Sequence, residues 1–298
     1  MGLNIGIITV RDHDYHPNRR LGEAASEQGH RVSLVHPYRV WPALENGEPY
    51  LIGQPRMEAL DVVLPRQGAT VGESCLTLIR HFSLMGIPVV NNLTSISVAK
   101  NQFLTLLALA EAQIPFPDTL FVNSAQGLDL AISRLDDYPV VAKQVSGRQG
   151  EGVMLVKTHH DLQSIISGQL DSRKGLLLQR FIPTERRQDI RVLVLGGKVV
   201  GAMELRPKEG EFRANFHISG ESRGIDLPAE LEGIALQAAN AVGLEIAGVD
   251  LIVDHDAAVY VIEVNYSPGF RGLESATGLD IAGKIVKYLA STYGERSH

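Results

Sequence analysis

The sequence predicts a mixed α/β protein, with a small parallel α/β domain first and a larger strand-rich α+β portion after it. Three observations predict this. The first ninety-odd residues alternate short apolar strands with helical patterns, the signature of parallel strands joined by helices. Beyond Ile114-Pro-Phe-Pro117 the strand-like runs crowd together, and Gly196-Gly197 between two of them is a hairpin signal. At 298 residues the chain is also long for one hydrophobic core.

In the first portion, strands are expected at Asn4–Val10, Arg31–His36, Asp61–Pro65 and Ile87–Val90. Helices are expected at Asn18–Gln28 and Gly72–Met85, each closed by a glycine (Gly29, Gly86) that stops a helix with a left-handed residue. No G-x-G-x-x-G follows the first strand, so nothing marks a dinucleotide site there. One helix is read from Thr94 to Ala112, ended by the prolines at 115 and 117. Strands then follow at Pro139–Val145, Val153–Lys157 and Leu176–Ile182 around a helix near His160–Leu170. Next come strands Asp189–Leu195 and Lys198–Leu205, a helix at Pro228–Val242, strands Ala247–Val253 and Ala258–Val264, and a last amphipathic helix at Asp280–Thr292. The expected units are residues 1–95, 96–181 and 182–298.

Composition narrows the function. Hydrophobic residues make up 44% and charged residues 21%, an ordinary globular balance. The single cysteine, Cys75, excludes an internal disulfide and fits a reducing cytoplasm; in its apolar run it reads as a small core residue. The first ten residues lack a basic n-region and read as a buried strand rather than a signal peptide. No apolar run approaches the roughly 20 residues that span a bilayer. A net charge of −6 argues against general nucleic-acid affinity. Residues 180–213 nevertheless hold eight Lys/Arg against five Asp/Glu, which suits an anion site or a solvated strand face equally.

The sharpest motif is the strand pair around Asp254-His-Asp-Ala257. As a hairpin it brings Asp250 near Glu263, and Glu263 shares a face with Asn265 because strand side chains alternate. Two carboxylates on otherwise apolar strands repel and lose hydration unless a cation neutralises them. Oxygen ligands without sulfur or imidazole suit a hard ion such as Mg²⁺; an exposed hairpin is the competing reading.

The run Lys143-Gln-Val-Ser-Gly-Arg-Gln-Gly-Glu-Gly-Val153 is a glycine-rich loop between strands, able to bring backbone N–H groups to phosphate oxygens. It lacks the Gly-Lys-Ser/Thr ending of a P-loop, and a flexible hairpin would look similar. Lys143, on the entering strand, adds a cation for phosphates. The strand Leu176–Pro183 could offer backbone groups to an adenine edge, or be plain core. Arg206, Lys208, Arg213 and Asn215 cluster, as forked cations for phosphoryl or carboxylate groups or as a solvated loop. His159-His160 is read as a solvated turn.

Together, the lysine and Gly-rich loop, Gln179-x-Phe-Ile182, Asp189-Ile-Arg191, Phe212-Arg-x-Asn-x-His217, Ala247-Gly-Val-Asp250 and Glu263-Val-Asn-x-Ser-Pro-Gly269 resemble the ATP-grasp superfamily. Pro65-Arg-Gln-Gly68, Lys208–Asn215 and Asn265-Tyr-Ser-Pro-Gly269 running to Lys284 resemble the RimK-type ligases, which add glutamate to the C-terminus of a ribosomal protein. The resemblance implies a pre-ATP-grasp domain followed by a two-lobed ATP-grasp fold, with ATP between two antiparallel sheets. It implies two Mg²⁺ or Mn²⁺ ions on Asp250, Glu263 and Asn265, and ATP phosphates on Lys143 under the loop with Ser146, Gly147, Gly150 and Gly152. Gln179, Arg180, Phe181 and Ile182 would line the adenine pocket, with Asp189 toward the nucleotide. Arg213 and Asn215 would serve the γ-phosphate and acyl site, with Arg206 and Lys208 beside them. The implied partners are L-glutamate or another amino acid, an acidic peptide or ribosomal protein C-terminus, and further copies of the chain in a dimer or tetramer; no membrane is implied.

Four departures from the family pattern stand out. Asn101-Gln102 replaces Asp-Lys, removing a phosphate-binding lysine that Lys100 is placed to replace only from another face. Arg180 replaces a glutamate, His217-Ile-Ser-Gly220 replaces a His-Arg-Gly-Gly type sequence, and Arg271 replaces an acidic residue. The last two bear on substrate choice. The rival expectations are a ligase that joins an amino acid to a small molecule, and a weakly catalytic ATP-binding regulator.

Overall fold

The computed structural model describes residues 2–53, 60–67, 71–136, 138–146, 152–168, 170–208, 211–212 and 221–294. The N-terminal sheet is parallel, with β1 (Asn4–Ile8) between β2 (Arg31–Val35) and β5 (Val62–Pro65). Helix α1 (His16–Glu27) starts with Pro17 in its first turn, where the missing N–H costs nothing, and buries Leu21, Ala24 and Ala25. Helix α2 (Glu73–Leu84) follows β5, and Gly29 and Gly86 both take positive φ past their helix ends. The expected strand Ile87–Val90 contributes only one parallel bridge, Val63 to Val89. Pro88 has no N–H to give a ladder.

A hairpin not anticipated from the sequence joins β3 (Trp41–Glu45) to β4 (Glu48–Ile52). Its turn is Asn46-Gly47, both at positive φ, a two-residue hairpin signal present in the sequence all along.

The single helix expected from Thr94 to Ala112 is instead α3 (Leu93–Lys100) and α4 (Gln102–Glu111), bent by 106°. Asn101 breaks it. Its backbone is extended, and its Oδ1 accepts from Phe103 N and Leu104 N at 3.0 and 3.2 Å. An asparagine that caps a new helix outcompetes continuation of the old one.

The middle sheet is antiparallel, in the order β6 (Thr119–Val122), β9 (Leu176–Arg180), β7 (Val140–Gln144), β8 (Val153–Val156). Val140, Ala142, Leu176 and Leu178 pack on α5 (Ala125–Arg134) and α6 (His159–Gly168) as a separate core. Strand alternation therefore turns Lys143, Leu177 and Gln179 to the opposite face. β6 and α5 were not expected from the sequence.

The C-terminal sheet is also antiparallel, in the order β12 (Glu221–Gly224), β11 (Lys198–Arg206), β10 (Gln188–Leu195), β13 (Ile246–Val253), β14 (Val259–Asn265). Gly196-Gly197 forms the expected turn, both residues at positive φ. One face, with Val192, Val249 and Val261, packs on α7 (Ala229–Val242) and is continuous with α2, α3 and α4. The other, with Leu193 and Met203, joins α8 (Arg271–Thr277), α9 (Ile281–Tyr293) and the N-terminal sheet in a second core. Among the described residues no single helix is long and apolar enough to cross a membrane.

Buried Asn91 fastens the N-terminal domain to the C-terminal sheet. Its Nδ2 donates to the carbonyls of Ile246 and Tyr266 at 2.8 and 2.9 Å, and its Oδ1 accepts from Glu245 N and Ile246 N at 2.8 and 3.0 Å. One amide thus holds both the start of β13 and the chain just past Asn265.

Candidate active site between two antiparallel sheets

The site begins with register. Asp250 pairs with Arg191 on one side and with Glu263 on the other. A register shift between Asp250 and Leu251 lets Val261 and Val264 both enter the core. That shift places Glu263 opposite Asp250, and Asn265 opposite Gly248.

Arg191 joins the site although it was not among the residues expected there. Its Nε donates to Asp250 Oδ1 at 2.7 Å and its Nη2 to Oδ2 at 2.6 Å, a two-pronged pair of the strong, charge-assisted kind. The signal was present in Asp189-Ile-Arg191, but only the β10–β13 register shows whose partner it is. Each carboxylate oxygen keeps a further lone pair, so the fork orients Asp250 without exhausting it.

Glu263 is held differently. Burial first, and Asp250 second, raise its carboxyl above the ordinary range, while Arg191, Lys143 and a hydrogen bond with the Asn265 side chain oppose this. Lys143 faces the pair from the middle sheet; burial lowers its ammonium to about 8, against the pull of Glu263 and Asp250. A buried lysine and a half-buried carboxylate pair thus face one another across two sheets. The pocket between them is lined by Gln102 and Thr105 of α4, Lys143, Leu177 and Gln179 of the middle sheet, and Glu263 of β14.

The donor set fits a hard cation. Asp250 and Glu263 carry like charge side by side, and Asn265 adds an amide next to them. Among the described residues no third His, Cys, Asp or Glu joins them, which suits an ion that keeps waters and phosphate oxygens in its shell.

The remaining expected residues are distributed as follows. Gln179 lies in the pocket, its Nε2 donating to Thr119 Oγ1 at 2.8 Å. Arg180 leaves β9 toward β14, its Cζ 5.7 Å from the Tyr260 ring and its guanidinium 3.6 Å from Asp118. Phe181 meets Phe212 edge-on, and Ile182 is buried, its carbonyl accepting from Arg187 Nη1. Asp189 is buried against Arg187 at 2.9 Å; burial still raises its carboxyl. Ser146 donates to the Lys100 carbonyl, and Gly152 has φ +77 with Gln144 packed where a side chain would stand. Arg206 and Lys208 are exposed, with Arg206 3.8 Å from Glu221. Gly147, Gly150, Arg213 and Asn215, with His217-Ile-Ser-Gly220, lie outside the described residues.

Gln102, not Lys100, lines the pocket beside Lys143. The Lys100 charge is felt instead by Cys75 in α2, a fully buried thiol that burial pushes up to about 12.

Two opposed antiparallel sheets with a lysine and a carboxylate pair between them are the arrangement of an ATP-grasp enzyme. The RimK-like ATP-grasp domain profile matches residues 99–289, and the RimK pre-ATP-grasp domain profile matches residues 3–96. The chain belongs to the RimK-like ATP-grasp family and is an ATP-dependent ligase. A relative named "Probable alpha-L-glutamate ligase" from Thioalkalivibrio sulfidiphilus is 35% identical over 288 residues, covering 96% of this chain and 95% of its own. The RimK domain protein ATP-grasp from Sphaerobacter thermophilus superposes with a TM-score of 0.75 at 25% identity, covering 96% of this chain and 98% of the other. The ATP-grasp ligase PsnB, complexed with a minimal precursor, Mg and ADP, has the same fold, with a TM-score of 0.73 at 19% identity and 98% of each chain covered.

Proposed function

We propose that this ligase adds L-glutamate to the C-terminal carboxylate of an acidic protein or peptide. The observation that carries the reading is Lys143 facing Asp250 and Glu263 across two sheets, in a chain 35% identical to a probable alpha-L-glutamate ligase. The acceptor carboxylate is phosphorylated by ATP, releasing ADP, and the glutamate amine attacks the acyl phosphate, releasing phosphate and forming the amide.

Each residue has a place in that scheme. Lys143 binds phosphate oxygens, whose negative charge offsets the burial that lowers its pKa. Asp250, Glu263 and Asn265 hold the divalent cations, two Mg²⁺ or Mn²⁺ ions, which supply charge neutralisation at the phosphates. Arg191 keeps Asp250 aimed. Gln179 to Ile182 line the adenine pocket with Asp189 nearby, and the segment from Ser146 to Gly152 covers the phosphates. Arg213 and Asn215, with Arg206 and Lys208 on the approach, serve the acceptor and the oxyanion.

The test is ADP release with glutamate plus an acidic peptide, together with mass spectrometry of a lysate incubated with ATP, Mg²⁺ and labelled glutamate. Glutamate ladders on a protein support the reading. Stimulation only by a small amine or acid moves the enzyme to small-molecule ligation. Nucleotide binding without turnover under every acceptor refutes the proposal.

A further inference from the structure

A second cationic site lies outside the nucleotide pocket, where the N-terminal domain meets the chain that follows Asn265. Arg66 leaves the end of β5 with its N–H bonded to the Ile8 carbonyl at 2.8 Å. Its side chain crosses to the other domain, where Nη2 donates to the Pro268 carbonyl at 2.7 Å and Cζ sits 5.6 Å from the Phe270 ring centre. Its Nε is shut off from water and has no hydrogen-bond partner among the described residues. Burial lowers the guanidinium to about 10, and the group that opposes this is the Tyr15 phenol, not a carboxylate.

The surroundings add donors, and among the described residues no carboxylate is bonded to the guanidinium itself. The His16 ring stands 6.0 Å from the same Phe270 ring, with Nδ1 buried and unpartnered among the described residues. Burial lowers its pKa against the pull of Glu274, which favours the neutral imidazole with one N–H to donate. The carboxylate on that side, Glu274, lies 3.7 Å from His16 Nε2 and also accepts from Arg20 Nε at 3.4 Å and Ala282 N at 3.1 Å. Arg271 is exposed and adds positive potential at His16. A half-buried arginine with no carboxylate bonded to it among the described residues is poorly compensated until a ligand supplies an anion.

We propose that Arg66, with His16 beside it, binds a carboxylate of the substrate other than the one that is activated. Pro268 ties this site to the chemistry: it packs against Gly248 of β13, two residues from Asp250, and lies three residues past Asn265. A guanidinium is a planar fork suited to a carboxylate, while Lys143 is the cation placed for phosphate. The carboxylate is that of the incoming amino acid or that of a residue in an acidic peptide. The inference rests on the ligase reading, which supplies a substrate with more than one carboxylate.

The experiment uses the full chain loaded with Mg²⁺ and a non-hydrolysable ATP analogue. L-Glutamate, L-glutamine, glutamate α-amide and a Glu-Glu dipeptide are titrated into wild type, Arg66→Gln and Arg66→Lys, with circular dichroism melts to confirm folding. Arg66→Gln is expected to bind the carboxylate ligand roughly 10–100-fold more weakly, the loss of charge-assisted hydrogen bonds, with Arg66→Lys in between. Nucleotide affinity stays within about twofold of wild type in both variants. Masking the recognised carboxylate as an amide weakens wild type but causes no further loss in Arg66→Gln, and the ligand showing this pattern identifies the source. Unchanged carboxylate affinity in both folded variants, with wild type turning over glutamate, overturns the subsite and leaves the ligase standing. A wild type that binds another carboxylate through Arg66 but never uses glutamate keeps the subsite and refutes the glutamate reading. Binding of no carboxylate by wild type refutes both.

Discussion

Glu263→Gln is expected to raise the stability of the ligand-free enzyme while abolishing its turnover. The wild-type carboxylate is disfavoured by burial and by Asp250, and Arg191 spends both of its forked hydrogen bonds on Asp250 rather than on Glu263. Glutamine keeps the shape and can still pair with the Asn265 amide, but removes the charge. Relief of one poorly neutralised buried charge is worth roughly 1–2 kcal/mol, an upward shift of about 2–6 °C in the melting midpoint for a chain of this size. The sign follows from the raised folded-state pKa: the carboxylate costs stability above that pKa and ceases to do so as pH falls through it. The stabilisation should therefore be full at pH 8 and fade in acid. Thermal melts at several pH values, with and without Mg²⁺, measure it, and Mg²⁺ should stabilise wild type more than the variant. ADP release should drop at least about 100-fold at saturating ATP. A variant that melts lower than wild type at pH 8, or turns over normally at ordinary Mg²⁺, would show that Glu263 is neither strained nor a metal ligand.

Arg191→Met strands Asp250 beside Glu263 and should cost about 3–5 kcal/mol, read from urea midpoints; Asp250→Asn in the same background should recover part of it, and strict additivity would contradict the ion pair. Lys143 has a folded pKa of about 8 against an ordinary 10.5. The unfolded chain therefore binds more protons between those values, and apo stability from this residue should rise with pH across that window by about 3 kcal/mol at most. Lys143→Met should remove that rise in a pH series of unfolding curves and weaken nucleotide binding. Asn91→Ala leaves two carbonyls and two N–H groups unmatched at the domain junction and should cost about 3 kcal/mol. Calorimetric titration should show nucleotide affinity falling with it if Asn91 positions the chain beyond Asn265.

Much of this architecture was legible because it follows from local rules. Alternation marked β10, β11, β13 and β14, and Gly196-Gly197 marked the turn, since strand period and turn chemistry act over a few residues. The nearness of Asp250 to Glu263 was readable for the same reason, but their direct pairing depends on the register shift between Asp250 and Leu251, which alternation does not show. Asn46-Gly47 was equally local but went unread because its strands are short and half exposed. The break at Asn101 illustrates a real ambiguity, since an apolar helical run cannot show whether an internal asparagine will cap or be tolerated until Val145 appears as a partner for the N–H of Gln102.

The sequence by itself determined the chemistry available: a carboxylate pair with an amide, a lysine at the mouth of a glycine-rich loop, and the motifs that mark an ATP-dependent ligase. Only the tertiary structure decided which groups face one another. Arg191 clamps Asp250, Gln102 rather than Lys100 stands beside Lys143, Asn91 holds the chain beyond Asn265, and Arg66 crosses a domain junction to Pro268 with no carboxylate bonded to it among the described residues. Each of these is a contact between residues dozens to hundreds of positions apart. Burial and charge at such contacts depend on how the sheets pack, and no periodicity along the chain encodes that.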